Sequence, residues 1–198
     1  MESRYEERMR RWLPLPLLVL AAFLGCASFS GPEKPLLGEV VGVIDGDTLT
    51  VLDGRRKSHR IRLQGIDAPE RAQAFSRRST ENLSRLVFGK PVRVEWEKRD
   101  VYGRILGKVW VAPADCREMD CPKTLDVNLA QVESGMAWWF RRYAWEQPPK
   151  ERERFEAAEK RAREQRIGLW SEPSPVPPWE FRRPRKGESP ARQPAAAR

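Results

Sequence analysis

Histidine and cysteine are scarce in this chain of 198 residues, which contains one histidine and three cysteines. A catalytic centre built on several histidine ligands is therefore excluded, because His59 has no histidine partner. A zinc site of four cysteine and histidine ligands is possible by count alone, but the spacing of these residues does not support one.

Long apolar runs are also absent. The apolar stretch at residues 12–25 spans 14 residues, which is too short for an ordinary transmembrane helix. Four arginines precede it, as in the positively charged start of a signal peptide. A small residue before Cys26 resembles the end of a bacterial lipoprotein signal, although Phe23 stands where leucine is usual. We therefore expect a signal peptide over residues 1–25 and a lipid anchor on Cys26, which tethers the chain without spanning the membrane.

This interpretation makes the protein an exported lipoprotein of the cell envelope, on its periplasmic or extracellular face. The alternative is a plain signal peptide, with Cys26 removed or inert, and a secreted protein. Export would place Cys116 and Cys121 in an oxidising compartment, where they would close a small loop as a structural disulfide. Two free thiols in an exposed loop are the alternative, and no histidine or acid is arranged around them for cysteine catalysis.

Positive charge is in excess, with 37 lysines and arginines against 28 acids and a formal net charge of +9. Such a surface favours a polyanionic partner, either nucleic acid or the anionic face of a membrane. A solvated basic surface with no ligand is the alternative. With 40% hydrophobic and 33% charged residues, the composition is globular but polar, and the length suits one domain with appendages.

Short alternating or β-branched segments separated by turn residues dominate the chain after residue 35. They predict strands at 39–44, 48–52, 59–64, 91–96 and 104–111. Helical spacing predicts helices at 70–88, 124–135 and 149–166. Five strands with a helix after the third match a five-stranded Greek-key barrel of the OB type, in an α+β, mainly β fold with about three helices.

These segments divide the remainder of the chain into three parts. Residues 26–35 form a spacer after the signal segment, residues 36–170 form the barrel domain, and residues 171–198 form a Pro-rich basic tail. We expect most of the tail to be disordered, with residues 179–181 as the part able to pack back on the barrel.

Four acids stand out in this basic chain, namely Asp45, Asp47, Asp67 and Glu70. Both pairs flank predicted strands, so the fold can bring them together. Carboxylates concentrated at one place repel each other unless a cation or arginines compensate, and hard oxygen ligands select calcium or magnesium over zinc. Taken alone, residues 45–47 are more typical of a hairpin turn, and residues 67–70 are more typical of a helix start.

Two arginines, Arg62 and Arg104, lie within strand-like sequence. An arginine in such a context is usually a solvent-facing strand residue. In a phosphodiesterase it would have another role, because a guanidinium binds phosphoryl oxygens bidentately and stabilises the charge that builds on phosphorus.

Four short motifs occur in order between about Gly38 and Trp170 and resemble the staphylococcal nuclease-like, or thermonuclease, family. They are VIDGDT at 43–48, IRLQGIDAPE at 61–70, DVYGR at 100–104 and DVN at 126–128. Each motif alone is weak, but four at compatible spacing identify the family. The resemblance implies a calcium-dependent nuclease acting on DNA and RNA, which cleaves the bond to the 5′ oxygen and leaves 3′-phosphates.

The resemblance also implies a calcium site. Asp47 and Asp67 would be carboxylate ligands, together with the backbone carbonyl of Ala68, where the family archetype carries threonine. Asp45 would lie just outside the ligands.

By the same resemblance Glu70 would be the general base that activates or orients the attacking water. Arg62 and Arg104 would stabilise the charge on phosphorus, with Arg104 near the leaving oxygen.

Substrate contacts are implied for Tyr102 and Tyr143. The chain departs from the family at Arg141, where a phosphate-contacting tyrosine is usual, and at Val101, where a substrate-binding lysine is usual.

We expect a monomer with no obligate protein partner, tethered at Cys26 and acting on nucleic acid, with single strands favoured because a small barrel cleft accommodates one strand. The alternative is a noncatalytic OB module at the envelope that binds nucleic acid or protein, since one fold hosts many functions. A third interpretation is a structural lipoprotein whose basic tail contacts anionic lipid or polymer.

Overall fold

Period-two alternation is clearest in the strand Ile105–Val111, where every second residue is buried. This strand belongs to a computed structural model that describes residues 34–114, residue 116 and residues 121–182. Cys26 and the expected signal peptide and lipid anchor lie outside the described residues.

Eight strands are found in this part of the chain, and five of them are long enough to form a barrel wall. In chain order they are β1 (Leu36–Asp45), β2 (Thr48–Asp53), β3 (Ser58–Leu63), β4 (Ile66–Asp67), β5 (Pro91–Arg99), β6 (Ile105–Val111), β7 (Leu125–Asp126) and β8 (Trp138–Trp139).

The five long strands close on themselves. β1 pairs antiparallel with β2 and β5, β2 pairs with β3, and β5 pairs with β6. Parallel pairing of β3 with β6, which sets Ile61 opposite Ile105, completes the ring. The predicted five-stranded barrel is therefore confirmed. The two-residue strands are additions, β7 beside β6 and β4 beside β8.

Four α-helices accompany the barrel in the described residues: α1 (Ser76–Val87), α2 (Val127–Glu133), α3 (Pro149–Glu164) and α4 (Pro178–Phe181). Helix α1 begins six residues later than the predicted start at residue 70. Phe75 adopts a left-handed backbone with φ of 66°, which the helix cannot include. Glu70 therefore lies in a turn before the helix, where its backbone N–H donates to Oε1 of Gln73 at 2.8 Å.

The barrel interior is filled by branched aliphatic side chains, because alternation sends every second strand residue inward. Leu49, Ile61 and Val109 are among those fully buried. Helices α1, α2 and α3 add Leu83, Val132 and Phe155 to the same core. A smaller apolar cluster joins α3 to the end of the domain through Trp138, Ala162, Leu169 and Trp170.

Residues 171–182 contact the barrel domain. The rings of Trp179 and Phe140 pack with their centres 5.5 Å apart, as the prediction for residues 179–181 allowed, and the side chain of Gln73 donates to the carbonyl of Val176 at 2.9 Å. The expected disorder of the remaining tail concerns residues 183–198, which lie outside the described residues.

Two further observations concern predictions about export. The sulfurs of Cys116 and Cys121 are bonded at 2.02 Å, with their Cα atoms 6.0 Å apart. Within residues 34–114, 116 and 121–182, no helix combines the length and apolar character needed to cross a membrane.

Candidate active site

Turns at one end of β1, β2 and β3 bring the predicted acids together. Asp47 lies in the β1–β2 turn, where its backbone N–H donates to Oδ1 of Asp45 at 3.1 Å. In the β2–β3 pair, Thr48 lies opposite Arg62, so the β1–β2 turn that precedes Thr48 lies beside that arginine. β4 then carries Asp67, and Glu70 follows three residues later.

Arg62 forms a fork between two buried carboxylates. Its Nη1 lies 2.7 Å from Oδ2 of Asp47, and its Nη2 lies 2.8 Å from Oδ1 of Asp67. Asp47 is 6% exposed and Asp67 only 1% exposed. A buried charge is tolerated when it is paired and hydrogen-bonded. The guanidinium of Arg62 provides the ion pair and the hydrogen bonds for both acids.

Asp47 is held from several sides. Besides Arg62, its Oδ2 accepts the backbone N–H of Ala68 at 2.6 Å, and its Oδ1 accepts the hydroxyl of Thr48 at 3.1 Å. Burial raises the pKa of Asp47 to about 7; Arg62 opposes this rise, and the nearby charges of Asp45 and Asp67 add to it. An additional positive charge at this place would therefore be favoured.

The turn that carries Asp47 is anchored by a residue that the sequence did not identify. Buried Gln131 of α2 donates through Nε2 to the carbonyl of Gly46 at 2.6 Å. A Cβ at Gly46 would lie 1.8 Å from the hydroxyl oxygen of Ser79, so the glycine permits close contact with α1. Nothing in the local sequence distinguishes Gln131 from a solvent-facing helical glutamine.

A second unforeseen residue, Arg182, reaches the site from the end of α4. Its Nη2 lies 2.7 Å from Oδ2 of Asp67, and its Nη1 lies 2.5 Å from Oε1 of Glu70 and 3.3 Å from Oδ1 of Asp67. Sequence reasoning assigned this arginine to a basic tail, and no local signal linked it to residues more than a hundred positions away.

Arg104 lies two residues before the β6 position that pairs with Arg62, but its own partner is a different acid. It directly precedes β6, and Leu106 of that strand is paired with Arg62 in β3. Its Nε donates to Oδ2 of Asp100 at 2.7 Å. Burial tends to raise the pKa of Asp100, but the hydrogen bonds from Arg104 outweigh it, so the pKa is lowered. Arg104 is thus close in the sheet to Arg62, but the guanidinium of Arg104 is paired with Asp100.

The two predicted substrate tyrosines lie on the surface. Tyr102, 80% exposed, is in the β5–β6 turn with the guanidinium of Arg104 5.6 Å from its ring centre. Tyr143, 44% exposed, packs edge-to-face against Phe140. Both rings are accessible to a partner.

The donor chemistry of the site suits a hard cation. Asp47, Asp67 and the carbonyl of Ala68 are oxygen donors, as calcium and magnesium prefer. In the part of the chain that the structure describes, no group of three or more acidic, histidine or cysteine side chains is arranged to hold a metal ion. Arg62 and Arg182 pair with the carboxylates of Asp47, Asp67 and Glu70, and Asp45 adds a further negative charge near Asp47, which leaves an excess of negative charge.

The sequence of this barrel domain matches a protein family and several known proteins. A sequence profile of the family described as Staphylococcal nuclease homologue matches residues 60–172. An uncharacterized endonuclease of Escherichia coli is 39% identical over 174 residues, covering 88% of this chain and 98% of that protein. Protein ParB of Escherichia coli is 43% identical over 168 residues, covering 84% and 91%. A micrococcal nuclease of Shigella flexneri is 43% identical over 149 residues, covering 75% and 82%.

Proposed function

Because the chain belongs to the family of staphylococcal nuclease homologues, we propose that it is a calcium-dependent nuclease that hydrolyses phosphodiester bonds of DNA and RNA. The family shown by the motifs is the same one that the comparisons find. The observation that carries the proposal is the pairing of Arg62 with both buried Asp47 and buried Asp67. Glu70 lies close to this pair, because it shares Arg182 with Asp67.

Glu70 is the residue proposed to take the proton from the attacking water. Its side chain is 37% exposed, so water reaches it, whereas Asp47 and Asp67 are enclosed. A carboxylate accepts a proton only while it is ionised and within hydrogen-bond reach of the water. This difference in exposure separates the proposed base from the proposed cation ligands.

Arg62 and Arg104 are the proposed binders of the phosphate. Arg62 is held rigidly by two acids, and a fixed guanidinium stabilises developing charge without reorganising. Arg104 directly precedes β6, whose Leu106 is paired with Arg62 in the parallel strand β3, and its guanidinium is paired with Asp100. A calcium ion held by Asp47, Asp67 and the Ala68 carbonyl, when bound, would add Lewis-acid stabilisation.

The substrate and location are part of the proposal. Exposed Tyr102 and Tyr143 would contact phosphate or base of a single strand, with cleavage at the 5′ oxygen leaving 3′-phosphates on both DNA and RNA. We further propose that the protein acts as a monomer, exported and anchored by lipid at Cys26. Incorporation of labelled fatty acid that is lost in Cys26→Ala would support the anchor, and labelling that persists would contradict it.

The decisive test is digestion of single-stranded DNA and RNA by the purified protein, with calcium or with a chelator, followed by analysis of product ends. We expect cleavage with calcium only, and 3′-phosphate ends. Glu70→Gln should reduce turnover by at least about a hundredfold, since general bases contribute that much or more. Glu153→Gln, an exposed acid of α3, is the matched control and should behave like the parent.

Three results would contradict parts of this proposal. Unchanged digestion in chelator would remove the calcium assignment. Full activity in Arg104→Ala would remove its role on phosphorus. Binding of single strands without any cleavage would favour the noncatalytic module.

A further inference from the structure

Arg182 occupies oxygen atoms that the proposed catalytic cycle needs. Its guanidinium contacts both carboxylate oxygens of Asp67 and one oxygen of Glu70, at 2.5 to 3.3 Å. Asp67 is a proposed cation ligand and Glu70 is the proposed base. The guanidinium of Arg182 thus supplies, from the chain itself, a positive charge at a place where positive charge is favoured.

The segment that delivers Arg182 is attached to the barrel at two points. Trp179 packs on Phe140, which directly follows β8, and Val176 accepts a hydrogen bond from Gln73, three residues after Glu70. α4 has only four residues, so these attachments, and not a long helix, determine where Arg182 lies. The segment of residues 171–182 is called the strap below.

Arg62 and Arg182 differ in which carboxylate oxygens they leave available to a cation. Arg62 projects from β3 and uses one oxygen of each acid, Oδ2 of Asp47 and Oδ1 of Asp67. Arg182 approaches from the solvent side, is 45% exposed, and covers Oδ2 of Asp67, the oxygen that Arg62 leaves open. A cation approaching from solvent would meet Arg182 first.

A divalent cation and the Arg182 guanidinium compete for the same carboxylate oxygens, because their mutual repulsion opposes the binding of both at short distance. The Oε1 atom of Glu70 is occupied by Nη1 of Arg182, so this oxygen is not free to accept a hydrogen bond from the attacking water. With Arg182 in place, the two proposed roles of these acids are therefore both hindered.

We propose that Arg182 is a built-in competitor for the divalent cation, and that the strap holds the site closed until the cation displaces it. The inference rests on the proposed function for the identity of the cation. By thermodynamic reciprocity, a cation that expels Arg182 loosens the strap, and a variant lacking Arg182 binds the cation more tightly.

Calcium titration calorimetry on the full chain tests the first consequence. Arg182→Ala should bind calcium at least about fivefold more tightly than the parent, the lower end of usual coupling between sites. Arg182→Lys, which keeps the charge without the planar fork, should fall between them. Arg55→Ala removes one positive charge from the exposed β2–β3 turn and should leave calcium affinity unchanged.

Hydrogen exchange tests the second consequence without any measurement of activity. Calcium should increase exchange of backbone amides in the strap of the parent protein. In Trp179→Ala, which removes the contact with Phe140, strap exchange should be fast without calcium and calcium affinity should rise as in Arg182→Ala.

Each other outcome overturns the proposal. Equal or weaker calcium binding by Arg182→Ala, no detectable calcium binding by that variant, or strap exchange that calcium slows or leaves unchanged would all do so. If calcium binds and releases the strap but nucleic acid is not cut, the proposed nuclease activity fails while the role of Arg182 stands.

Discussion

At the scale of single residues, the site depends on one guanidinium that neutralises two buried acids. Arg62 spans Asp47 in the β1–β2 turn and Asp67 in β4, so its side chain joins segments that local backbone structure does not connect. Pairing of this kind is worth little compared with an apolar core, but removing one partner is costly because it leaves uncompensated charge in the interior.

Arg62→Ala should therefore destabilise the protein by about 3 kcal/mol in calcium-free buffer, the lower end for breaking a buried ion pair. Calcium should restore part of this loss, since a cation can replace the missing charge. Urea unfolding with and without calcium measures both effects. An unchanged unfolding midpoint without calcium would contradict the proposed role of Arg62 in neutralising these acids.

At the scale of elements, α2 is positioned by its first residues. Asp126 caps the helix through Oδ1, which accepts the N–H of Leu129 at 3.1 Å, while its Oδ2 is buried and lacks a partner among the described residues. Burial raises the pKa of Asp126. Asn128, two residues later, donates to the carbonyls of Gln64 and Gly107 and so ties α2 to the barrel beside the site.

Asp126→Ala should cost about 1 kcal/mol of stability, the usual value of a lost helix cap. The pH dependence follows from the raised pKa. The carboxyl contributes stability that is full below the unfolded value, near 3.9, and is lost as pH rises through the folded value. The advantage of the parent over Asp126→Asn should thus be largest near pH 4 and shrink toward pH 8, measured by urea unfolding. An advantage that grows with pH would show the opposite shift.

The junction between α2 and the chain after α3 requires two glycines. Gly135 has φ of 63°, and a Cβ there would lie 2.3 Å from the carbonyl oxygen of Ile167. Gly168 faces it with φ of 58° and a similarly short approach to Gly135. The contact brings α2 and Trp170 together at the edge of the smaller apolar cluster.

Gly135→Ala should destabilise the protein clearly more than Gly89→Ala. Both glycines have positive φ, which costs an alanine about 1 kcal/mol, but a Cβ added at Gly89 would meet no neighbouring atom within 4 Å. The comparison therefore separates backbone strain from steric contact. Thermal melting of both variants measures it, and equal losses would mean that the contact between Gly135 and Ile167 relaxes freely.

At the scale of the whole molecule, a basic chain contains a site that is rich in acids. The chain carries a formal net charge of +9, whereas the proposed catalytic centre concentrates four carboxylates. A field of this sign attracts a polyanion to the surface, and the acids at the centre then favour the hard cation that the phosphate also needs.

Binding of single-stranded DNA in calcium-free buffer should consequently weaken steeply with salt. A strand engaging about four phosphates would lose affinity on the order of 50-fold between 50 and 200 mM salt. Fluorescence anisotropy with a labelled oligonucleotide measures the slope. An affinity independent of salt would mean that the basic surface does not bind the substrate.

Much of this architecture could be predicted from local pattern. Alternation in Ile105–Val111 and the turn at residues 45–47 placed the strands correctly, because strand periodicity and turn chemistry are short-range properties. The start of α1 could not be predicted, because Phe75 adopts a left-handed conformation that its residue type does not favour.

The sequence by itself determined the barrel and the set of acids and arginines from which a site is built, because these depend on periodicity and on motifs read along the chain. Only the tertiary structure decided how those charges are paired: Arg62 with two acids, Arg104 with Asp100, and Arg182 with Asp67 and Glu70. Gln131 lies 85 residues from Gly46, and Arg182 lies 112 residues from Glu70. No local signal marks such contacts, since they form only when the folded backbone brings distant segments within hydrogen-bond reach.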